Sequence, residues 1–254
     1  MSKNKLQKFA QMETFSNVWQ CTAKHIGTEQ DLGNMKGHWN ELCFKNNNPI
    51  ILELGCGRGE YTVGLAQLYP ECNFIGVDIK GARMWAGARQ ALDLNLGNAA
   101  FLRTNIEMLE HFFAVNEVQQ IWLTFPDPQM KKATKRLTST YFLRRYRSLL
   151  SDNGLIHLKT DSPFLYTYTL EMIRANNLPL NCATDDLYVS EFADVVKSLK
   201  THYEQQWLSR GMTIKYLQFC LPAEGGLVEP EVEIEKDTYR SYGRNQRSGT
   251  PDSE

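Results

Sequence analysis

The stretch Ile50-Ile-Leu-Glu-Leu-Gly-Cys-Gly-Arg-Gly59 constrains the fold more than any other part of the chain. Its first five residues, apolar except Glu53, read as a short buried strand of a parallel sheet. Glycines then alternate at Gly55, Gly57 and Gly59, and a helical pattern of Tyr61, Leu65, Ala66 and Leu68 runs up to Pro70. Strand, glycine-rich turn and helix in this order open a nucleotide-binding α/β fold. Glycine lets such a turn take positive φ and lets the backbone come close to a ligand.

The spacing selects the ligand. A dinucleotide fingerprint needs G-x-G-x-x-G, but its third glycine position here is Glu60, with Gly59 one residue early. Glu53, inside the strand, would repel a pyrophosphate yet could hold a cationic amino acid. A second strand, Asn73–Val77, ends on Asp78, where a carboxylate can accept hydrogen bonds from ribose hydroxyls. The pattern E-x-G-x-G-x-G resembles motif I of the class I S-adenosylmethionine-dependent methyltransferases. That resemblance implies a cofactor with an amino group and a sulfonium lying across the turn.

The βα alternation continues along the chain. Helices are expected over Ala82–Leu92, Met108–Phe113, Thr138–Leu150, Phe164–Ala175 and Val195–Leu208, and strands over Ala99–Arg103, Gln120–Phe125, Leu155–Lys159, Leu180–Ala183 and Met212–Phe219. Ser162-Pro163 reads as N-cap and first helical residue. The expected architecture is a doubly wound, Rossmann-like class I methyltransferase fold, with a mostly parallel seven-stranded sheet and a last antiparallel strand. Residues 49–221 would form the domain. Residues 1–48 would be an extension lying on it, and residues 222–254 an acidic, then polar tail, mobile at its Arg/Ser/Gly/Gln-rich end.

Composition narrows the partners. A net charge of −1 over 254 residues gives no global case for nucleic acid, so any such case is local. The six cysteines form no C-x-x-C pair and no Cys/His cluster, which indicates neither a metal site nor a disulfide framework. No signal sequence and no apolar run of about 18 residues occurs. A cytoplasmic protein with reduced thiols is expected, needing no membrane, no metal and no obligatory protein partner.

The local case lies at Thr124-Phe-Pro-Asp-Pro128, where two prolines stiffen the chain leaving a strand and hold Asp127 at the sheet edge. From Gln129 to Ser148 there is no acidic residue, while Lys131, Lys132, Lys135, Arg136, Arg144, Arg145 and Arg147 accumulate. A basic loop beside a fixed carboxylate suggests a polyanion gripped by its backbone. Arg144 to Arg147, mid-helix, read better as a solvated face.

Phe125-Pro-Asp-Pro128 followed by Lys131-Lys132 and Lys135-Arg-Leu-Thr138 resembles the F-P-D-P-W-x-K-x-x-H-x-K-R-R signature of the bacterial tRNA (guanine-N7-)-methyltransferases. Lys159-Thr-Asp161 is similar to that family's T-D motif, and Thr201-His-Tyr-Glu204 to its T-K-[FY]-E motif. The match runs from Ile50 to Phe219. The resemblance implies methyl transfer from S-adenosylmethionine to guanine N7 in the variable loop of tRNA. It implies cofactor contacts at Glu53, Gly55, Gly57, Asp78, Asn105 and Asp127, with Asp127 catalytic. It implies tRNA contacts at Lys131, Asp161, Thr201, His202, Tyr203 and Glu204. Asn105 replaces the family's Asp, Gln129-Met130 replaces the Trp and its neighbour, Ala133-Thr134 stands near the usual His, and His202 replaces Lys. These departures bear on substrate contacts rather than on the reaction class. The competing readings are a class I methyltransferase acting on another RNA, a protein or a small molecule, and a non-catalytic RNA-binding subunit. A dinucleotide-dependent oxidoreductase fails on Glu53 and Glu60.

Overall fold

The computed structural model describes residues 3–192 and 194–238. The chain runs α1 (Lys3–Met12), β1 (Val18–Gln20), β2 (Ile50–Leu54), α2 (Glu60–Leu68), β3 (Asn73–Val77), α3 (Gly81–Asp93), β4 (Ala99–Arg103), α4 (Leu109–Phe112) and β5 (Val118–Thr124). It continues with α5 (Thr140–Arg147), β6 (Leu150–Thr160), α6 (Pro163–Ala175), β7 (Leu180–Thr184), α7 (Asp194–Ser198), α8 (His202–Leu208) and β8 (Lys215–Leu221). The polar end of the chain from 239 onward, expected above to be mobile, lies outside the described residues.

One sheet of eight strands, in the order β1-β4-β3-β2-β5-β6-β8-β7, organises these elements. The pairs from β1 to β6 are parallel, and β8 runs antiparallel to both β6 and β7. The expected count of seven strands is corrected by β1. Three residues are too few to show a period in the sequence, but Val18, Trp19 and Gln20 pair in register with Phe101, Leu102 and Arg103.

Side chains alternate between two covered faces, as a parallel sheet requires. On one face Leu52, Leu54, Ile75, Val77, Ala100, Leu102, Ile121 and Leu123 pack under α4, α5, α6 and the N-terminal segment. Trp39 is wholly buried there. Its indole donates to the Phe112 carbonyl at 2.8 Å and stacks on Phe113 at 5.4 Å. On the other face Phe74, Phe101 and Trp122 meet Tyr61 of α2 and Met84, Ala88 and Ala91 of α3, a helical i, i+4, i+7 stripe.

Two helix expectations and one turn change. The helix expected over 138–150 is α5 alone, because the chain re-enters the sheet at Leu150. The turn expected at Asp152-Asn-Gly154 is a bulge inside β6, with Asn153 at φ 56°. The helix expected over 195–208 is broken into α7 and α8 for a reason that belongs to the site. The acidic segment after Pro222 is held against the domain. Glu229 accepts from the Thr140 backbone and hydroxyl at 2.9 and 2.6 Å, and Asp237 accepts from Ser162 Oγ and from the Phe164 amide.

Candidate active site

The carboxyl ends of β2, β3, β5 and β6 open into a cavity of about 800 Å³, within the ordinary size of a small-molecule pocket. Glu53, Gly55, Gly57, Asp78, Asp127, Asp161, Thr201, His202 and Tyr203 all line it. The strands gather residues that lie up to 150 positions apart, from Glu53 to Tyr203 (203 − 53).

Glu53 lies at the foot of the cavity and is only 4% exposed. It points to the sheet face covered by α2, where Thr62 donates from its amide at 2.8 Å and its hydroxyl at 2.6 Å. Thr124 of β5 donates to the other carboxylate oxygen at 2.6 Å. Among the described residues no cation pairs with it. Burial therefore pushes its carboxyl up to about 7, despite the three donors.

Above Glu53 the turn takes left-handed backbone at Gly55 (φ 76°), Gly57 (φ 56°) and Gly59 (φ 73°). A Cβ on Gly55 would meet nothing within 4 Å, so the backbone is bare toward the cavity. A Cβ on Gly87 of α3 would stand 2.5 Å from the Arg58 carbonyl, so helix and turn touch backbone to backbone. Asp78 closes the turn by accepting from the Gly57 amide at 3.0 Å and the Lys80 amide at 2.8 Å. Asn105 stands outside the main cavity. It lines a smaller space of about 180 Å³ that shares Asp78, Ile79, Gln129, Lys135 and Leu137 with the larger one. Through these shared residues the two spaces adjoin, giving a path whose lining runs from Glu53 past Asp78 to Asn105.

Asp127 is exposed at the rim, between the buried Pro126 and Pro128. Phe125 ends β5 one residue earlier than expected by taking φ 51°, a costly conformation for a residue before proline. The Asp127 carboxylate accepts from the Gln129 amide at 3.0 Å. Arg136 holds the loop by donating to the Gln129 and Met130 carbonyls at 3.2 Å each, and it stacks on Phe164 and Tyr168. Lys135 pairs with Glu107 at 2.9 Å. Arg144, exposed as expected, and the half-buried Arg147 also donate to the Leu227 and Gly225 carbonyls. Lys131 and Lys132 are exposed, and neither lines the cavity.

The far wall is α8, and a buried ion pair positions it. Lys159, at the end of β6, has no exposed surface, and its ammonium meets Glu204 at 2.7 Å, Tyr61 Oη at 2.7 Å and the Val196 and Leu199 carbonyls at 2.6 and 3.1 Å. Burial brings Lys159 down to about 8. Turning those two carbonyls toward the ammonium interrupts the helix expected over 195–208. The chain restarts at Thr201, whose hydroxyl accepts from the Glu204 amide at 3.1 Å while Glu204 accepts from the Thr201 amide at 3.3 Å. Thr201-His-Tyr-Glu204 is thus a capping box, a pattern readable in the sequence as S/T-x-x-E. Glu204 also accepts from Tyr188 Oη at 2.6 Å and is wholly buried. It is the one residue of this motif that cannot reach a ligand in the cavity. His202 and Tyr203 are exposed to it.

Asp161 is 1% exposed and lies beside Ser162, the N-cap of α6. Sequence reasoning did not single out Thr62, and it named Thr124, Lys159 and Arg136 as parts of motifs without seeing that they position the expected residues. The residues present fit an aminoacyl sulfonium cofactor. A bare glycine turn adjoins a buried carboxylate that has no cation among the described residues, followed by a carboxylate at the next strand end and an amide beyond it.

A family profile described as putative methyltransferase matches residues 47–217. A tRNA (guanine-N(7)-)-methyltransferase of Bacteroides fragilis (strain YCH46) is 59% identical over 98% of this chain and 98% of its own. Another, of Porphyromonas gingivalis (strain ATCC BAA-308 / W83), is 54% identical over 93% of this chain and 98% of its own. Among solved structures, the 16S rRNA methyltransferase KamB superposes with a TM-score of 0.56 at 14% identity, over 72% of this chain and 92% of that one, a likeness of fold alone.

Proposed function

This chain belongs to the family of tRNA (guanine-N(7)-)-methyltransferases, with S-adenosylmethionine as methyl donor, and on that premise we propose how its cavity performs the transfer and where on tRNA it acts. The target is guanine N7 in the variable loop. Glu53, Gly55, Gly57, Asp78 and Asn105 hold the cofactor along the path just described. Asp127 meets the target base at the rim. Asp161, Thr201, His202 and Tyr203 face the nucleoside from the other side, and Lys131 reaches RNA outside the cavity.

The observation that carries this reading is the Glu53 carboxylate. It is buried, hydrogen-bonded by three neutral donors, and has no cation among the described residues. An ammonium arriving from the cavity satisfies it, whereas a phosphate is repelled. Asp78 is already oriented by two amides, so its remaining acceptor capacity can serve the ribose hydroxyls without reorganisation.

Guanine N7 bears a lone pair and no proton, so this chain needs no strong base. Held by Glu53, Gly55, Gly57, Asp78 and Asn105, S-adenosylmethionine would supply an electrophilic methyl group to N7, and the methylated guanine would carry a positive charge. Positioning of the two reactants can account for about 7–11 kcal/mol of the barrier. Asp127 contributes an anion fixed by two prolines and the Gln129 amide, placed to orient the base and offset its new charge.

The test is methyl transfer from labelled cofactor to unmodified bulk tRNA, with the product base mapped and Asp127→Ala run alongside. The expected product is 7-methylguanine in the variable loop, and the variant should lose about 10²-fold in kcat with cofactor affinity retained. Cofactor binding without transfer to tRNA would refute the substrate assignment and redirect attention to Gln129, Met130 and His202. At saturating cofactor, a steep rate increase through a single pKa near neutrality would refute the orienting role of Asp127.

A further inference from the structure

Beyond Lys131 and Lys132, which stay exposed, the basic run that draws the eye in the sequence is occupied. Lys135, Arg136, Arg144, Arg145 and Arg147 all bind Glu107 or backbone carbonyls of this chain. A different set of cations stands open. Arg58, Lys80 and Arg83, scattered in sequence, all line the large cavity, all are exposed, and none of their side chains has a hydrogen-bond or ion-pair partner among the described residues.

Their placement runs against helix electrostatics. Arg58 immediately precedes Gly59, the N-cap of α2. Lys80 is the N-cap of α3, Arg83 lies in its first turn, and that turn contains no acidic residue. A cation at a helix N-terminus opposes the macrodipole, at about 0.3–1 kcal/mol per charge. These three cations line one cavity at two helix starts; the first turn of α2 carries Glu60, but among the described residues no carboxylate pairs with them. An external anion would answer both the cations and the two helix termini. The corner is also rigid, because α3 and the turn touch backbone to backbone at Gly87 and Arg58.

We propose that Arg58, Lys80 and Arg83 are the surface that grips the phosphodiester backbone of the substrate RNA while one base enters the cavity. The proposal rests on the tRNA reading above. The carboxylate of the cofactor shares the relevant chemistry, but it brings a single charge, and these three side chains are spread on the exposed rim rather than on the buried floor. The RNA backbone brings a row of charges to that rim, and gripping it there leaves the acidic floor to the cationic ligand.

The test uses the full chain with Arg58→Gln, Lys80→Gln and Arg83→Gln combined, and Lys131→Gln/Lys132→Gln for comparison. Each is measured for tRNA affinity across a salt series, for cofactor affinity by calorimetry, and for steady-state transfer. Each lost phosphate contact should remove close to one unit from the slope of log affinity against log salt, so the triple variant should lose about 2–3 units. Its KM for tRNA should rise on the order of tenfold or more, with kcat at saturating tRNA and cofactor affinity kept within about threefold. The loss of slope should exceed that of the Lys131/Lys132 variant. An unchanged slope, or a slope unchanged while cofactor affinity falls, overturns the proposal; the second result assigns the rim to the cofactor carboxylate. If the triple variant fails to fold, Arg83→Gln alone must lower the slope by about one unit, or the proposal fails. A wild-type protein that methylates no tRNA sinks the functional reading and this one with it. A wild-type protein that methylates tRNA, beside a variant of unchanged slope, sinks the rim alone.

Discussion

Glu53 and Glu204 are both buried carboxylates beside one cavity, and their surroundings are opposite. Glu204 has its cation: Lys159 at 2.7 Å, with Tyr188 Oη and the Thr201 amide completing its hydrogen bonds. Glu53 has only neutral donors, from Thr62 and Thr124. A buried anion with a partner is part of the scaffold. A buried anion without one must take up a proton or receive a cationic ligand. The same residue type, equally hidden, is therefore structural on one wall and cofactor-directed on the other.

The largest effect should come from breaking the satisfied member. Lys159→Met leaves Glu204 buried without a cation and should cost about 3–5 kcal/mol of unfolding free energy, with much of it regained in Lys159→Met/Glu204→Gln. Urea unfolding of the two variants decides the matter. A loss under about 1 kcal/mol in the single variant would mean that the pair does not hold α8. A folded, fully stable Glu204→Gln whose only defect is a raised KM for tRNA would return Glu204 to the tRNA contact that the resemblance implied.

Glu53→Gln should do the reverse, with cofactor affinity falling by at least about tenfold and stability changing little. Its pH behaviour sharpens the contrast. The Glu53 carboxyl stands at about 7 in the folded protein against an ordinary 4.5. Between those values the folded state binds more protons than the unfolded one, so stability falls as pH rises, by at most on the order of 3 kcal/mol. His157 tilts the other way. Buried between Trp122 and Tyr216, its imidazole is pushed down to about 3 from 6.5, so the unfolded state binds more protons there and stability falls as pH drops through that window. The two slopes oppose each other between 4.5 and 6.5. Glu53→Gln should unmask a stability that rises with pH across it. Binding of a cationic cofactor favours the ionised Glu53, so near pH 6 it should release a proton, visible as a buffer-dependent enthalpy in the wild type and missing in the variant. An enthalpy independent of buffer would place the ammonium elsewhere.

The smallest effect belongs to the acidic segment. Asp237→Ala removes an acceptor from Ser162 Oγ and the Phe164 amide at the start of α6 and should cost about 1 kcal/mol in thermal or urea unfolding, with cofactor affinity unaltered. A large loss of cofactor affinity instead would show that the segment shapes the cavity itself.

What the sequence made legible follows the range of the interactions involved. The turn at Gly55–Gly59, Asp78 at its strand end and the Ser162-Pro163 helix start are local, so spacing alone located them. The partner of Glu204 is 45 positions away (204 − 159) on another element, and no spacing rule reaches it. The capping box at Thr201 was readable, and it would have warned that Glu204 faces its own helix rather than a ligand. The basic run shows a related effect. Charge density along a chain is not charge availability in space, since Arg136, Arg144 and Arg147 donate to carbonyls of their own chain. The dispersed Arg58, Lys80 and Arg83 meet only because β2 and β3 lie side by side.

β1 is three residues long, yet it shields the side of β4 that no other strand covers. The Phe101 amide donates to the Asn17 carbonyl at 2.9 Å and the Cys21 amide to the Arg103 carbonyl at 3.1 Å, so the backbone of β4 is used on both sides. Without residues 17–21 that backbone would be an open template for a strand from another molecule, the first step of aggregation. The segment is in this sense a guard: as a very short edge strand it blunts that side of the sheet that builds the cavity.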